Sequence, residues 1–343
     1  MRKLLNTLYV TTQKSYLGKD GETVAVYIEH KVAARIPIHT LSGIVCFGNV
    51  SMSPFLMGFC AEKEVAVSFL TERGRFLARV VGPVSGNVLV RRTQYCLADC
   101  PEHASEIARS CVIGKVANSR AVLSRAVRDH GEKIDAEVVK KAVNRLGATL
   151  KELALETPLD TVRGLEGDAA RAYFGAFDHL ILRADEDFQF TGRNRRPPKD
   201  AVNALLSFLY TLLLHDIRSA LEAVGLDPAV GFLHRDRPGR PGLALDMMEE
   251  FRSVVADRLA LSLINMNQVS PSGFHTRESG AVEMDADTRK TVITAYQKRK
   301  QDEIHHPFIG EKVQLGQLFF VQAQLLNRCF RDDLDGYPPF VWR

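Results

Sequence analysis

VAVSFLTERGRFLARVVG, Val65 to Gly82, decides the first part of the fold. Val65–Leu70 is a short run of β-branched and aromatic residues that reads as a strand. Thr71–Gly74 is polar and closes on glycine, which suits a turn, and Arg75–Val81 reads as the strand that returns. Upstream, Thr23–Glu29 (TVAVYIE) and Gly43–Phe47 carry the same β signature, with Gly18–Gly21 as punctuation. Between them Ser51–Glu62 predicts a short helix, because Phe55, Leu56, Phe59 and Cys60 recur at helical spacing. The first 95 or so residues are therefore expected to form a β-rich region.

Downstream the period changes from two to 3.6. From about Cys100 the pattern predicts helices over Pro101–Val116, Asn118–Arg128 (with Asn118 or Ser119 as N-cap), Asp135–Glu156 and Asp160–Leu182. A polar break follows over 183–200. Ala201–Val224 carries one apolar stripe of Val202, Leu205, Leu206, Leu209, Leu212, Leu213 and Ile217, and Gly225 ends it. Leu245–Asn265, Lys290–Lys300 and Leu315–Phe330 complete the set. The expected fold is α+β: a small β-rich domain over residues 1–95 and a larger all-α domain over 96–343, with a linker near 92–105.

The 343 residues suit about two domains, and 45% hydrophobic with 25% charged residues describes an ordinary globular chain. A net charge of +4 means that any nucleic-acid surface must come from local clustering. The six cysteines make no CxxC pair. Cys96, Cys100 and His103 are a weak metal cluster by spacing, and reduced thiols in a cytoplasmic protein are the expectation. The N-terminus lacks the apolar core of a signal peptide, and no apolar run approaches a membrane span, so no membrane partner is expected. No GxxxxGK[ST] loop exists, so nucleotide hydrolysis is unsupported.

The chemistry concentrates in GFLHRDRPGRPGLALDMMEEFR, Gly231 to Arg252. His234 ends an apolar run, a basic Pro/Gly loop follows, and a helix then presents Asp246 and Glu249 three residues apart on one face. Glu166 (LEGDAARAYF) shares a helical face with Ala170, Tyr173 and Phe177, where a carboxylate needs a counter-charge or a metal. Each has a plainer reading: His234 as a structural histidine, Asp246 and Glu249 as an acidic helix face, and Glu166 as the ion-pair partner of Arg163 or Arg171. Together they offer one nitrogen and several carboxylate oxygens, a donor mixture that suits Mg²⁺ or Mn²⁺ in phosphodiester chemistry. Basic clusters in the same half point to a DNA backbone as partner: Arg193, Arg195, Arg196 and Lys199, then Arg235, Arg237 and Arg240, then Lys298, Arg299 and Lys300.

These stretches, with IPIHTLSGIVCFG (Ile36–Gly48), AVSFLTERGRFLARVVGPVSGNVLVRRTQY (Ala66–Tyr95), GRNRRPPKDAVNALLSF and YQKRKQ, resemble the CRISPR adaptation integrases, metal-dependent DNA endonucleases that insert new spacers. The resemblance covers essentially the whole chain and is strongest to the subtype I-C branch. It implies that Glu166, His234 and Glu249 bind the metal, and that Asp246 supports the site as a further catalytic residue. It places Arg252 where the family often has a basic residue near DNA. Glu249 stands where some members have Asp. It further implies a homodimer through the β domain, a small ferredoxin-like adaptation protein as partner, and transesterification by a DNA 3′-OH at the repeat. A DNA nuclease that only hydrolyses, or a non-catalytic DNA-binding module, are the alternatives the residues leave open.

Overall fold

The computed structural model describes residues 6–342 apart from 73, 83–87, 184–187 and 195–196. The chain divides into two compact units, Met1–Ser85 and Gly86–Arg343.

The first unit holds strands β1 (Asn6–Val10), β2 (Tyr16–Asp20), β3 (Thr23–Ile28), β4 (Lys31–Pro37), β5 (Leu41–Phe47) and β6 (Ser51–Met52), helix α1 (Pro54–Glu62), and strands β7 (Ala66–Leu70) and β8 (Phe76–Val80). They make two four-stranded sheets, ordered β1-β5-β7-β8 and β4-β3-β2-β6. The β7–β8 hairpin is antiparallel, as the sequence predicts, with Val67 opposite Val80. The core is built from Leu17, Val24, Ile44, Cys46, Leu56 and Val67. Ser53 caps α1 by accepting the Leu56 N–H at 3.1 Å, with Pro54 in the first turn where its missing N–H costs nothing. Helix α1 is therefore shorter at its start than the predicted Ser51–Glu62, because Ser51 and Met52 pair as a strand with β2.

The second unit is helical, with two short hairpins. Its elements are α2 (Val88–Asp99), α3 (Pro101–His130), α4 (Ala136–Leu153), α5 (Leu159–Gly175), α6 (Ala201–Ala223), α7 (Gly242–Met248), α8 (Arg258–Asn265), β9 (Phe274–Thr276), β10 (Val282–Met284), α9 (Ala286–Lys300), β11 (Glu303–His305), β12 (Lys312–Gln314) and α10 (Leu315–Phe330). A π-helical turn, Arg252–Asp257, joins the end of α7 to α8.

Two expectations are corrected here. Residues 88–99 are helix, and the compact units divide at Ser85/Gly86, upstream of the linker read near 92–105. The β-rich composition of VLVRRTQY is overridden by tertiary contacts: Val90 and Gln94 are buried one turn apart, and the Gln94 amide donates to the carbonyls of Asp227 (2.8 Å) and Val230 (2.9 Å). The predicted helices Pro101–Val116 and Asn118–Arg128 are one continuous helix, α3. Asn118 does not cap it. Its amide donates to the carbonyls of Glu250 (2.7 Å) and Phe340 (2.9 Å) and accepts the Trp342 N–H (2.7 Å). A side chain with distant partners no longer competes for its own backbone.

Helix α3 packs on α4, on α5 and on the π-helical turn, and α6 packs on α7 and α10. Helix α6 is long and apolar enough to cross a membrane by length and composition, contrary to the expectation that no run approaches a span. Its burial explains the composition: Val202, Leu205, Leu206, Leu209, Leu212, Leu213 and Ile217 all face protein. All six cysteines are free thiols, and burial pushes the Cys46 thiol up to about 12 and the Cys60 thiol to about 11. Cys96 is exposed, and no group of three His, Cys, Asp or Glu side chains forms a metal cluster among the described residues.

Candidate metal centre

The centre is assembled inside the helical unit from α3, α5, the Gly231–Pro241 loop, α7 and the π-helical turn. The loop is fixed first. An added Cβ on Gly231 would stand 2.5 Å from the Gly242 carbonyl carbon and 2.8 Å from Asp246 Oδ2, so only glycine lets the loop lie against the start of α7. That approach delivers three backbone N–H groups to one buried carboxylate. Asp246 Oδ2 accepts from Phe232 (2.6 Å) and Leu233 (3.0 Å), and Oδ1 accepts from His234 (3.0 Å). The same Oδ1 lies 2.6 Å from His234 Nδ1. With its lone pairs on fixed donors, Asp246 orients the imidazole and leaves Nε2 as the ring nitrogen not committed to it.

Glu249 sits one turn along, 2% exposed. Burial alone would raise its pKa, but Arg252, Lys115 and His234 outweigh burial and hold the carboxyl down at about 2. Arg252 Nη1 is 3.1 Å from Glu249 Oε1, and Lys115 Nζ is 2.8 Å from Oε2. The lysine contact is close but poorly directed, and Oε2 makes no aligned hydrogen bond. Lys115 also donates to Glu166 Oε1. One ammonium on α3 thus bridges a carboxylate of α5 and a carboxylate at the end of α7.

Behind these groups lies a second polar layer. Asp257 accepts from Tyr210 (2.7 Å) and Tyr173 (3.0 Å), and burial, partly offset by those hydroxyls, raises its carboxyl to about 6. The Arg252 and Arg193 guanidinium groups stack over the Tyr210 ring at 5.2 and 5.1 Å. Glu250 points away from Glu249. It accepts from Tyr337 (2.6 Å), Phe340 N–H (2.7 Å) and Gln322 (3.0 Å), and burial lifts it to about 8 against those donors.

The structure therefore brings Glu166 and Glu249 together through Lys115, and sets His234 on Asp246 beside them. The ion-pair alternatives for Glu166 do not form: Arg163 pairs with Asp160 (2.8 Å) and donates to the Leu233 carbonyl (2.8 Å), and Arg171 pairs with Asp168. Among the basic residues, Arg235 and Arg237 are exposed, and Arg235 contacts Asp160 at 3.1 Å. Arg237, Arg240 and Arg218 line an open groove of about 450 Å³ beside the histidine loop. Arg252 and Arg193, expected near the DNA, have partners within the protein. Arg252 turns inward to Glu249, and Arg193 is held by Asn203 Oδ1 (2.5 Å), the Asn194 carbonyl (2.6 Å) and Ser207 (3.3 Å). Arg195 and Arg196 lie outside the described residues.

Lys115 is the residue that the sequence reading passed over. Its signal was present. It lies four residues after Cys111 and seven after Ala108, on the buried stripe of α3, where a lone cation requires anionic partners. Tyr210 and Asp257 gave no such signal, since both sit in amphipathic or acidic contexts that read as ordinary.

Glu166, His234 and Glu249 are not drawn into a closed ligand cluster, with Lys115 between the two carboxylates, but their donor chemistry suits a divalent cation. Two carboxylates already converge on one positive charge, Glu249 Oε2 is buried without an aligned donor, and the imidazole is pre-oriented through its other nitrogen.

Residues 8–298 match the family model described as CRISPR associated protein Cas1. The CRISPR-associated endonuclease Cas1 1 of Chlorobaculum tepidum is 58% identical over 343 residues, covering 100% of both chains. Among solved structures, a casposase bound to integration product matches with a TM-score of 0.84 at 20% identity, covering 99% of this chain and 95% of that one. A chain of a Cas6-RT-Cas1–Cas2 complex matches with a TM-score of 0.82 at 24% identity, covering 100% of this chain and 36% of that one. At those identities the structural likenesses establish the fold alone. Family model and full-length relative together place this chain in the Cas1 family of CRISPR-associated proteins, DNA-acting enzymes of the endonuclease and integrase class.

Proposed function

We propose that the chain inserts DNA fragments into a CRISPR array by transesterification, using one Mg²⁺ or Mn²⁺ ion held by Glu166, His234 and Glu249. The observation that carries this reading is the convergence of Glu166 and Glu249 on a single cationic position beside an imidazole fixed by Asp246. When bound, the cation supplies Lewis-acid polarisation of the scissile phosphate. The chain's own residues do the rest. Asp246 holds the His234 ring in one orientation. Arg252 keeps Glu249 ionised and aimed. Arg235, Arg237, Arg195 and Arg196 contact phosphates and fix the DNA in register. The reaction exchanges one phosphodiester for another, so no nucleotide is consumed, in keeping with a sequence that has no phosphate-binding glycine loop.

The β-rich unit is proposed to make the homodimer, and a small ferredoxin-like adaptation protein to bridge two dimers in the cytoplasm. The likeness to a chain of a Cas1–Cas2 assembly supports that partner. Assignment to the subtype I-C branch rests on the sequence motifs.

The test is strand transfer of a DNA fragment with a free 3′-OH into a supercoiled array plasmid, with and without EDTA. Alanine at Glu166, His234 or Glu249 should abolish joining and leave DNA binding largely intact. Joining that survives all three changes would overturn the site. Metal-dependent cutting without joining, in the presence of the partner protein, would favour a hydrolytic nuclease instead.

A further inference from the structure

We infer that Lys115 is a built-in counter-cation that competes with the divalent ion for Glu166 and Glu249, holding the two carboxylates converged while weakening metal binding. The inference rests on the reading of those carboxylates as metal ligands.

Lys115 is nearly enclosed, 12% exposed, and reaches both acids with one nitrogen. An ammonium and a divalent cation ask the same thing of a carboxylate, an oxygen lone pair at short range. Here the ammonium takes Glu166 Oε1 and lies 2.8 Å from Glu249 Oε2, which meets no aligned donor. Glu249 has a second support, Arg252 on its other oxygen. Glu166 takes its hydrogen bond from Lys115, with Arg252 acting on it at longer range, and neither Arg163 nor Arg171 reaches it. Without the lysine, two carboxylates would face each other across a poorly hydrated gap and repel. With it they stay aimed at one point. A cation binding at that point must push the ammonium aside or sit a few ångströms from a like charge, and either route lowers its affinity. Lys115 is thus a positioning residue that acts through Glu166 and Glu249. It keeps the site assembled and its ion exchangeable.

The experiment is calorimetric titration of the full chain with Mn²⁺ alone, paired with melting curves with and without Mn²⁺. Removing a unit charge this close should tighten Mn²⁺ binding by about tenfold in Lys115→Met. The variant should melt lower than the parent without Mn²⁺ and gain more from its addition. Lys115→Arg keeps the charge and should return affinity to the parent value. Lys115→Gln retains a hydrogen-bond donor should Lys115→Met not hold its fold, and the same tightening is expected of it. A folded Lys115→Met or Lys115→Gln that binds Mn²⁺ as weakly as the parent, or more weakly, would overturn the competition while leaving the metal site intact. Mn²⁺ binding unchanged by both Glu166→Gln and Glu249→Gln would overturn the metal reading itself, and this inference with it.

Discussion

His234 Nδ1 stands 2.6 Å from Asp246 Oδ1, and the backbone N–H of the same histidine donates to that oxygen at 3.0 Å. One buried carboxylate therefore fixes both the ring and the chain that carries it. Asp246→Asn replaces an acceptor oxygen with a donor and cannot satisfy all four contacts. Strand transfer should fall by about 10- to 100-fold, the usual effect of losing the group that orients a metal-bound histidine. The melting point should drop as well. Unchanged Mn²⁺ affinity and unchanged strand transfer in this variant would show that the histidine needs no orienting partner.

Gly231 faces Gly242 across a gap that a methyl group cannot enter. Gly231→Ala should destabilise the helical unit by about 1–3 kcal/mol, the range for overpacking a close contact. It should also displace the three N–H donors from Asp246. A crystal structure of the variant with the Phe232–His234 segment unmoved would contradict this.

Asn118 joins α3 to the backbone of Glu250, Phe340 and Trp342. Asn118→Ala leaves those buried groups unpaired, at a cost of about 1–3 kcal/mol for each group left without water. Trp342 is the chain's only tryptophan, and its ring lies 4.3 Å from the Arg258 guanidinium and 5.4 Å from that of Arg125. Release of the segment should shift its fluorescence to the red. An unchanged emission spectrum would mean that Asn118 does not hold it.

Asp257 keeps its proton to about pH 6 because it is buried. In the unfolded chain the carboxyl ionises near pH 4, so between those values the folded state binds the extra proton. The contribution of Asp257 to stability is fully present below pH 4 and declines as pH rises to about 6. Asp257→Asn cannot titrate and should flatten that part of the curve, while its amide still bonds Tyr173 and Tyr210. Melting points at pH 4.5 and pH 7.5 would decide it: an equal decline in both proteins would assign the slope to other groups, Glu250 first among them.

How much of this was legible before the structure depended on where each residue's partners lie. The β7–β8 hairpin, α6 and α10 follow from local periodicity, and the structure matches them closely. Residues 88–99 misled because strand-forming side chains were recruited into a helix by Gln94 contacts more than 130 positions away. Asn118 misled in the same way, its cap chemistry used on a distant backbone. Glu166 stands out in the sequence because a carboxylate on an apolar stripe demands a reason. Arg193 and Arg252 are expected at DNA, and their packing on the Tyr210 ring has no signal in the sequence, which shows a charge but not the ring beneath it.

The π-helical turn Arg252–Asp257 carries a consequence for how this site tolerates change. At 3.6 residues per turn, side chains five apart point roughly 140° away from each other. The wider turn brings Arg252 and Asp257 round to the same tyrosine, one on its ring and one on its hydroxyl. The arrangement is thus encoded by a count of residues rather than by their identities. Straightening the turn into an ordinary helix of the same length would keep every charged group of the site. It would also swing Arg252 and Asp257 roughly 140° apart, so that the ring and the hydroxyl of Tyr210 could no longer be held from one turn.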